Sequence, residues 1–222
     1  MDAALATERE LGHDFFKRAR ARLTLDVPAA LMDPTLPATR GDLDLDPALW
    51  KRAGVDLKAT RPAAVLVPVI DRPDPAVLLT QRNANLASHA GQIAFPGGKI
   101  EPGDSSPVAA ALREAEEEIG LDSRLVDPIG HLDLYLTMSG FRILPTVARL
   151  DPSYRLTLNR AEVDEAFEVP LAFLMDAQNH ALHSRDWKGV VRRYYAMAFP
   201  QRYIWGVTAG ILRNLYERVY LG

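Results

Sequence analysis

The sequence predicts an α/β fold in which helices pack on a mixed β-sheet. Two apolar segments, residues 63–70 and 76–81, flank the proline-containing turn at residues 71–75 and predict a β-hairpin. A helix with an acidic face is predicted at residues 107–119, and a helix with an apolar face is predicted at residues 208–219. Strands mixed with such one-faced helices are typical of helices packed on a sheet.

The other strands are predicted from short apolar or alternating segments. These are residues 130–136, 141–150, 166–169 and 190–198, while residues 92–95 lead into the glycine turn. Residues 171–177 predict a short helical turn directly after the third of these strands.

The first 60 residues form a predicted N-terminal extension, and residues 61–222 form the main domain. Residues 8–23 read as a helix with an apolar stripe. Residues 26–62 contain five prolines and predict an irregular connector. Within it, residues 46–53 predict a short helix, because Asp46 can cap it and Pro47 suits its first turn.

Composition restricts the classes of function. The chain has 222 residues, 48% of them hydrophobic, which is enough for an ordinary core. Its net charge of −3 gives no basic field, so we expect no nucleic-acid partner. The absence of cysteine excludes disulfides and thiolate chemistry. No apolar segment approaches the ~20 residues of a membrane span, and the N-terminus lacks an apolar signal core, so we expect a cytoplasmic protein without a membrane partner.

The helix at residues 107–119 has clear start and stop signals. Ser106 is a suitable N-cap, Pro107 suits the first helical position, and Gly120 is a natural C-terminal stop. Helical periodicity places an apolar stripe on one side: Val108, Leu112, Ala115 and Ile119. The glutamates occupy the opposite side, which we expect to be open because Ala110 and Ala111 are small.

Three glutamates crowd this acidic side: Glu114, Glu117 and Glu118. Like charges three or four residues apart destabilise a helix by a few tenths of a kcal/mol per pair. A divalent cation such as Mg²⁺, which prefers oxygen ligands, is the simplest compensation. A solvated acidic surface is the alternative interpretation.

The glycine turn and the helix together resemble the Nudix box. The matching positions are Gly98, Arg113, Glu114, Ala115, Glu117, Glu118, Gly120 and Leu121. Asp104 replaces the first glutamate of the box, with one extra residue before Arg113. The resemblance implies an α/β/α sandwich with a mixed sheet, preceded here by the N-terminal helical extension.

Segments outside the box resemble the coenzyme A pyrophosphatase branch of the Nudix hydrolases. They include residues 78–82, Gly91 and residues 95–98 upstream, and residues 139–141, 162–163 and 204–210 downstream. Ala87 departs from the branch, because the branch pattern has a second arginine at that position.

The resemblance implies metal-dependent hydrolysis of a pyrophosphate bond that links a nucleoside diphosphate to another group. Coenzyme A or a derivative is the first expected substrate, giving 4′-phosphopantetheine and 3′,5′-ADP. The alternatives are ADP-ribose, dinucleotides, nucleotide sugars or nucleoside triphosphates. An alternative of another class is a noncatalytic nucleotide-sensing module. The family also makes a homodimer plausible.

The resemblance assigns roles to particular residues. Mg²⁺ or Mn²⁺ is expected on Glu114, Glu117, Glu118 and the Gly98 carbonyl, while Arg113 is expected to orient a glutamate through a bidentate pair. Glu162 or Glu165 is expected to act as the general base or to bind metal, although both could be surface charges. The residues expected to bind substrate are Arg82, Gly97, Gly98, Lys99 and Phe141. Arg82 and Lys99 could equally be surface residues.

Overall fold

The computed structural model describes residues 8–42, 44–45, 56–187 and 190–221. In these ranges the helices are α1 (Glu8–Arg22), α2 (Pro107–Ile119), α3 (Leu171–Met175) and α4 (Val207–Tyr216), which continues into a π-helical turn at Glu217–Leu221. The short helix predicted at residues 46–53 lies outside the described residues.

The strands form a mixed sheet and a small antiparallel sheet. The mixed sheet contains β1 (Arg40–Gly41), β2 (Arg61–Ile70), β3 (Ala76–Arg82), β4 (Ile93–Ala94), β5 (Gly97–Lys99), β6 (Val126–His131), β7 (Tyr135–Leu136), β8 (Phe141–Leu150) and β9 (Val163–Pro170). The small sheet contains β10 (Ala181–Trp187), β11 (Val190–Phe199) and β12 (Arg202–Trp205). The order of the mixed sheet is β1-β7-β8-β2-β3-β4, where β5 also pairs with β2, β6 with β8 and β9 with β3.

Helices cover both faces of the mixed sheet. The parallel pair β2–β8 runs through the centre of the sheet over ten residue pairs, and successive β2 residues point to opposite faces. Leu66 packs in the cluster under α2, whereas Val67 packs in the cluster under α1, α3 and α4. This arrangement confirms the predicted α/β/α sandwich with a mixed sheet and an N-terminal helix.

The N-terminal residues pack on this core. Phe15, Ala19 and Leu23 of α1 are buried in the cluster that includes α4, and β1 extends the mixed sheet by pairing in parallel with β7. The division of the chain at residue 60 stays a prediction.

A buried arginine fixes the segment between α1 and β1. Arg142 of β8 is only 2% exposed. Its guanidinium donates to the carbonyl oxygens of Ala30 at 2.6 Å, Asp33 at 3.3 Å and Leu36 at 2.8 Å. Burial lowers the Arg142 pKa, and these carbonyls compensate for part of its lost hydration.

Five strands were not predicted from the sequence: the short β1, β4 and β5, and the two strands that flank β11 in the small sheet, β10 and β12. The β10 sequence Ala-Leu-His-Ser-Arg-Asp-Trp is mostly polar, and β12 has only four residues. Both are stabilised by pairing with β11, which is a tertiary contact that local apolar periodicity does not report. The strand predicted at residues 130–136 is divided into β6 and β7, with a non-strand segment at residues 132–134.

No helix in the described part of the chain is long and apolar enough to cross a membrane.

Replacing Arg142 by Met removes the donors that hold the segment at residues 28–36. We expect the free energy of unfolding to fall by about 2 kcal/mol, because buried carbonyl groups lose charged partners. Urea unfolding measures this loss, and amide exchange should show faster exchange at residues 28–36. Arg149→Met is the matched control, because Arg149 lies on the same strand with a half-exposed side chain paired to Asp71. Equal stability and equal amide exchange in the two variants would contradict the role of Arg142 in holding this segment.

Candidate active site

The site lies where β5 passes close to α2. Gly97 has φ of +145°, and a Cβ there would lie 2.5 Å from the Ala64 carbonyl oxygen. A Cβ on Gly98 would lie 2.5 Å from the carboxylate of Glu114. Position 97 therefore requires glycine for its backbone conformation, whereas a side chain at position 98 would push the Glu114 carboxylate away.

The ends of α2 follow the predicted signals. The Ser106 hydroxyl accepts a hydrogen bond from the Ala109 N–H at 3.1 Å, and Pro107 occupies the first helical position. Gly120 ends the helix in the left-handed conformation with φ of 65°. These caps fix where the helix begins and ends.

The predicted orientation of α2 needs a correction. Ala110 and Ala111 are fully buried against the sheet, whereas Val108 and Leu112 are only half-buried. The helix is rotated toward the small residues because they allow it to approach the sheet closely. As a result, Glu118 is buried, while Glu117 stays largely exposed.

Glu118 is the most buried carboxylate of the site, with a residue exposure of 3%. Its Oε2 accepts the Gly97 N–H at 3.1 Å, and its Oε1 lies 3.7 Å from Nη1 of Arg82. Burial raises the pKa of Glu118 to about 7, and the nearby charges of Glu114 and Glu162 also raise it. A positive charge beside this carboxylate would therefore stabilise its ionised form.

Arg113 connects the other acidic residues of the site. Its Nε and Nη2 donate to the two oxygens of Asp104 at 3.0 and 3.1 Å, which forms a bidentate pair. Its Nη1 donates to Glu114 at 3.1 Å and to Glu117 at 3.2 Å. The expectation of a bidentate pair with a glutamate is therefore wrong, because Asp104, at the position of the first box glutamate, accepts both bonds.

This pairing controls the charges around α2. Hydrogen bonds from Arg113 lower the pKa of Asp104, and Asp104 in turn raises the pKa of Arg113. Burial raises the pKa of Glu114, against the opposing effect of Arg113. In the described ranges, no three carboxylate or imidazole side chains already converge on one point as metal ligands do. The two arginines provide the positive charge in this conformation.

Of the two candidate bases, the structure brings Glu162 toward the glutamates of α2. The Asn159 N–H donates to the Glu118 carbonyl at 2.9 Å, and the Asn159 side chain donates to Glu162 at 2.9 Å. The charge of Glu162 acts on both Glu114 and Glu118.

Glu165 lies elsewhere. It is inside β9 opposite Gln81, and its carboxylate accepts from Nη2 of Arg202 at 2.5 Å. The same guanidinium also donates to Gln81 and covers the ring of Phe167. Phe167 packs in the cluster under α1, α3 and α4, on the sheet face opposite α2. Because residues 165 and 167 share a strand face, Glu165 belongs to that opposite face.

Of the side chains predicted to bind substrate, only that of Arg82 faces the glutamates of α2. Arg82 ends β3 and faces Glu118, and its Nε is buried without a hydrogen-bond partner among the described residues. Lys99 is exposed, and its carbonyl accepts from Arg113 at 3.2 Å. Phe141 lies at the start of β8, where the Arg61 guanidinium covers its ring at 4.5 Å.

Sequence reasoning did not select Asp104 and Asn159 as site residues. Asp104 had a signal, because it replaces the first glutamate of the Nudix box. Asn159 had no local signal, since its role depends on a tertiary contact with the end of α2.

Comparison with known proteins shows which family the chain resembles. The model of the NUDIX domain family matches residues 60–188. The Nudix hydrolase NudL of Photorhabdus laumondii is 42% identical over 159 residues, covering 72% of this chain and 85% of the relative. NudL of Escherichia coli K12 is 40% identical over 155 residues, covering 70% of this chain and 81% of the relative. A solved NUDIX hydrolase from Alicyclobacillus acidocaldarius is 20% identical with a TM-score of 0.44, covering 71% of this chain and 91% of that chain.

The chain therefore belongs to the Nudix hydrolase family. It is a pyrophosphohydrolase, and the noncatalytic alternative is set aside on the strength of these matches. Nudix hydrolases generally use divalent metal ions and act on small nucleotide substrates.

Replacing Gly98 by Ala should displace the Glu114 carboxylate, because the added Cβ would occupy its position. We expect pyrophosphohydrolase turnover to fall at least tenfold, since small misplacements of active-site groups have large effects on rate. Gly103→Ala is the matched control, because a Cβ there meets no atom within 4 Å. Steady-state kinetics of both variants measures the effect, and similar turnover in the two would argue against this close approach.

Proposed function

We propose that the protein hydrolyses the pyrophosphate bond of coenzyme A or its derivatives, releasing 4′-phosphopantetheine and 3′,5′-ADP. One observation supports this choice above the others. Two segments that resemble the coenzyme A branch, residues 78–82 and 95–98, meet at Glu118 of the Nudix box. Arg82 approaches one carboxylate oxygen of Glu118, and the Gly97 N–H binds the other.

The donor set fits Mg²⁺ or Mn²⁺. The proposed ligands are Glu114, Glu117, Glu118 and the Gly98 carbonyl, all of which offer the oxygen atoms that these cations prefer. The close packing of Gly98 against Glu114 supports their joint participation. A bound divalent cation would neutralise pyrophosphate charge and lower the pKa of bound water.

Arg113 and Asp104 would position the acidic residues. Arg113 donates to Glu114 and Glu117 while the bidentate pair with Asp104 holds its guanidinium in place. Removal of Asp104 would free Arg113 to pair more closely with the glutamates. We therefore assign Arg113 to orienting the glutamates and Asp104 to holding Arg113.

Glu162 is the proposed general base. Asn159 binds its carboxylate and is itself bound to the end of α2, so Glu162 has a defined position relative to Glu118. It would accept a proton from the attacking water, the usual role of a carboxylate base.

Arg82 is the proposed phosphate-binding residue. Its Nε is buried and lacks a partner among the described side chains, which leaves a charged donor for an oxygen of the substrate. The exposed ammonium group of Lys99, on the strand that holds the glycine pair, is a second candidate. Gly97 contributes through its N–H bond to Glu118, and Phe141 stays a more peripheral candidate.

A second candidate substrate class keeps the same chemistry. Ala87 is exposed in the loop between β3 and β4, where the coenzyme A branch has a second arginine, and residues 83–91 contain no lysine or arginine. This favours ADP-ribose, dinucleotides, nucleotide sugars or nucleoside triphosphates as the alternative. The homodimer and the cytoplasmic location stay predictions.

The test is a mass-spectrometric screen of the purified protein with Mg²⁺ or Mn²⁺. Coenzyme A, ADP-ribose, dinucleotides and nucleoside triphosphates are each incubated at equal concentration. We expect the highest kcat/KM with coenzyme A and release of 4′-phosphopantetheine with 3′,5′-ADP. Cleavage of another compound without cleavage of coenzyme A would replace the first proposal by the second.

The same screen includes two variants of α2. Glu118→Gln should lower turnover by at least 100-fold, because it removes the charge of the most buried proposed ligand. Glu116→Gln is the matched control, because Glu116 is an exposed neighbour on the same helix. Unimpaired turnover of Glu118→Gln would contradict the metal-site proposal.

A second pair of variants tests the base. Glu162→Gln should reduce kcat at least 100-fold, since it removes the proton acceptor but retains the hydrogen bond from Asn159. Glu165→Gln should change kcat less than threefold, because Glu165 faces Arg202 on the other side of the sheet. Rate measurements at saturating substrate separate the two, and the reverse order of effects would exclude Glu162 as the base.

A further inference from the structure

A cavity of about 470 Å³ lies outside the glutamate cluster of α2. It is enclosed by the segment around β1, by β7, by the β10–β11 hairpin and by the start of α4. Its volume is within the range of small-molecule sites. None of its lining residues belongs to α2 or to the glycine pair of β5, so the proposed hydrolytic chemistry does not account for it.

Cationic side chains dominate the cavity wall. Five arginines line it against two aspartates: Arg40, Arg185, Arg192, Arg193 and Arg213 against Asp42 and Asp44. Three of the arginines have acidic partners, because Arg40 and Arg213 pair with Glu217, and Arg192 lies 3.7 Å from Asp42.

Of the two other arginines, only Arg185 lies on the strand face that carries Arg192, because Arg192 and Arg193 are successive residues of β11 and point to opposite faces. Arg185 and Arg193 make no ion pair or hydrogen bond within the part of the chain that the structure describes. Arg185 also lies directly opposite Arg192 in the β10–β11 register. Like charges placed opposite each other destabilise a strand pair, and a bound anion would compensate for that repulsion. Guanidinium groups in such an arrangement favour phosphate oxygens.

Aromatic rings lie beside these charges. Tyr194 shares a strand face with Arg192, and its ring contacts Trp205 at a centroid distance of 5.6 Å. Both rings line the cavity. At the base, the Tyr135 hydroxyl donates to the largely buried carboxylate of Asp42 at 3.2 Å. A flat ring system could pack against Trp205 and Tyr194 while its phosphate reaches the arginines.

The start of α4 adds the positive end of a helix dipole to the same wall, while the N–H groups of Gly206 and Gly210 already bond to the carbonyls of Tyr195 and Gly206. Gly206 is the N-cap residue of this ten-residue helix, and no side chain caps it. Gly206 and Gly210 both line the cavity. Helix N-termini favour anions, so the helix dipole and the arginines both give this wall a positive potential.

We propose that this cavity binds a nucleotide, with phosphate on Arg185 and the facing Arg192 and the base against Trp205 and Tyr194 on the same strand face. The site is distinct from the glutamate cluster and does not depend on hydrolysis there. A molecule with both a flat ring and phosphate uses both halves of the wall, whereas inorganic phosphate or adenosine uses only one half.

The test is calorimetric titration of the full chain with 3′,5′-ADP in the presence of EDTA, so that turnover is not required. We expect saturable binding and at least a tenfold increase in Kd for the double variant Arg185→Gln/Arg192→Gln. A comparable increase is expected for Trp205→Leu. Adenosine and inorganic phosphate should each bind at least tenfold more weakly than 3′,5′-ADP.

Two controls separate this site from others. Arg155→Gln should bind like the unmodified protein, because Arg155 is an exposed arginine that donates only to the carbonyls of Ser153 and Tyr154. Glu118→Gln should also retain binding. Absence of binding, equal affinity in the double variant, or affinity lost only in Glu118→Gln would each overturn the proposal. Failure to cleave coenzyme A would not affect this result, so the two proposals fail separately.

Discussion

The burial of the Glu118 carboxylate between β5 and the end of β3 is the constraint on which the rest of the site depends. A carboxylate at 3% exposure needs partners, and the structure gives it one backbone N–H and one guanidinium. To place these partners, Gly97 must adopt a conformation that suits glycine, and α2 must approach the sheet through its alanines. The box residues thus determine packing as well as chemistry.

Arg113 illustrates how charges are balanced around that carboxylate. Each pair of neighbouring glutamates costs only a few tenths of a kcal/mol, but three of them around a buried position require a counter-charge. The structure uses Arg113 for Glu114 and Glu117 and Arg82 for Glu118. The bidentate bond to Asp104 then keeps Arg113 at the edge of the group, with its guanidinium shared among three acidic side chains.

Much of the fold could be predicted because its signals are local. The caps at Ser106 and Gly120 determined the ends of α2, and the apolar run at residues 141–150 matches β8 residue by residue. The rotation of α2 could not be predicted, because it depends on how closely Ala110 and Ala111 approach the sheet.

The sequence left Glu162 and Glu165 as equal candidates for a related reason. The sequence placed the start of that strand at residue 166, whereas pairing with β3 extends β9 back to Val163. Glu165 therefore lies within the strand and faces away from α2, while Glu162 precedes it. Asn159, which holds Glu162, is recognisable only once the chain has folded.

The hydrogen bonds from buried Arg142 to residues 28–36 affect how segments can be exchanged between related proteins. Trimming the chain to the family-matched region, residues 60–188, would remove the three carbonyl acceptors of a buried guanidinium. It would also strip α1 and α4 from one face of the sheet. A chimaera that carries this catalytic segment on another scaffold should therefore also include α1, the segment at residues 28–36 and α4, transferred together.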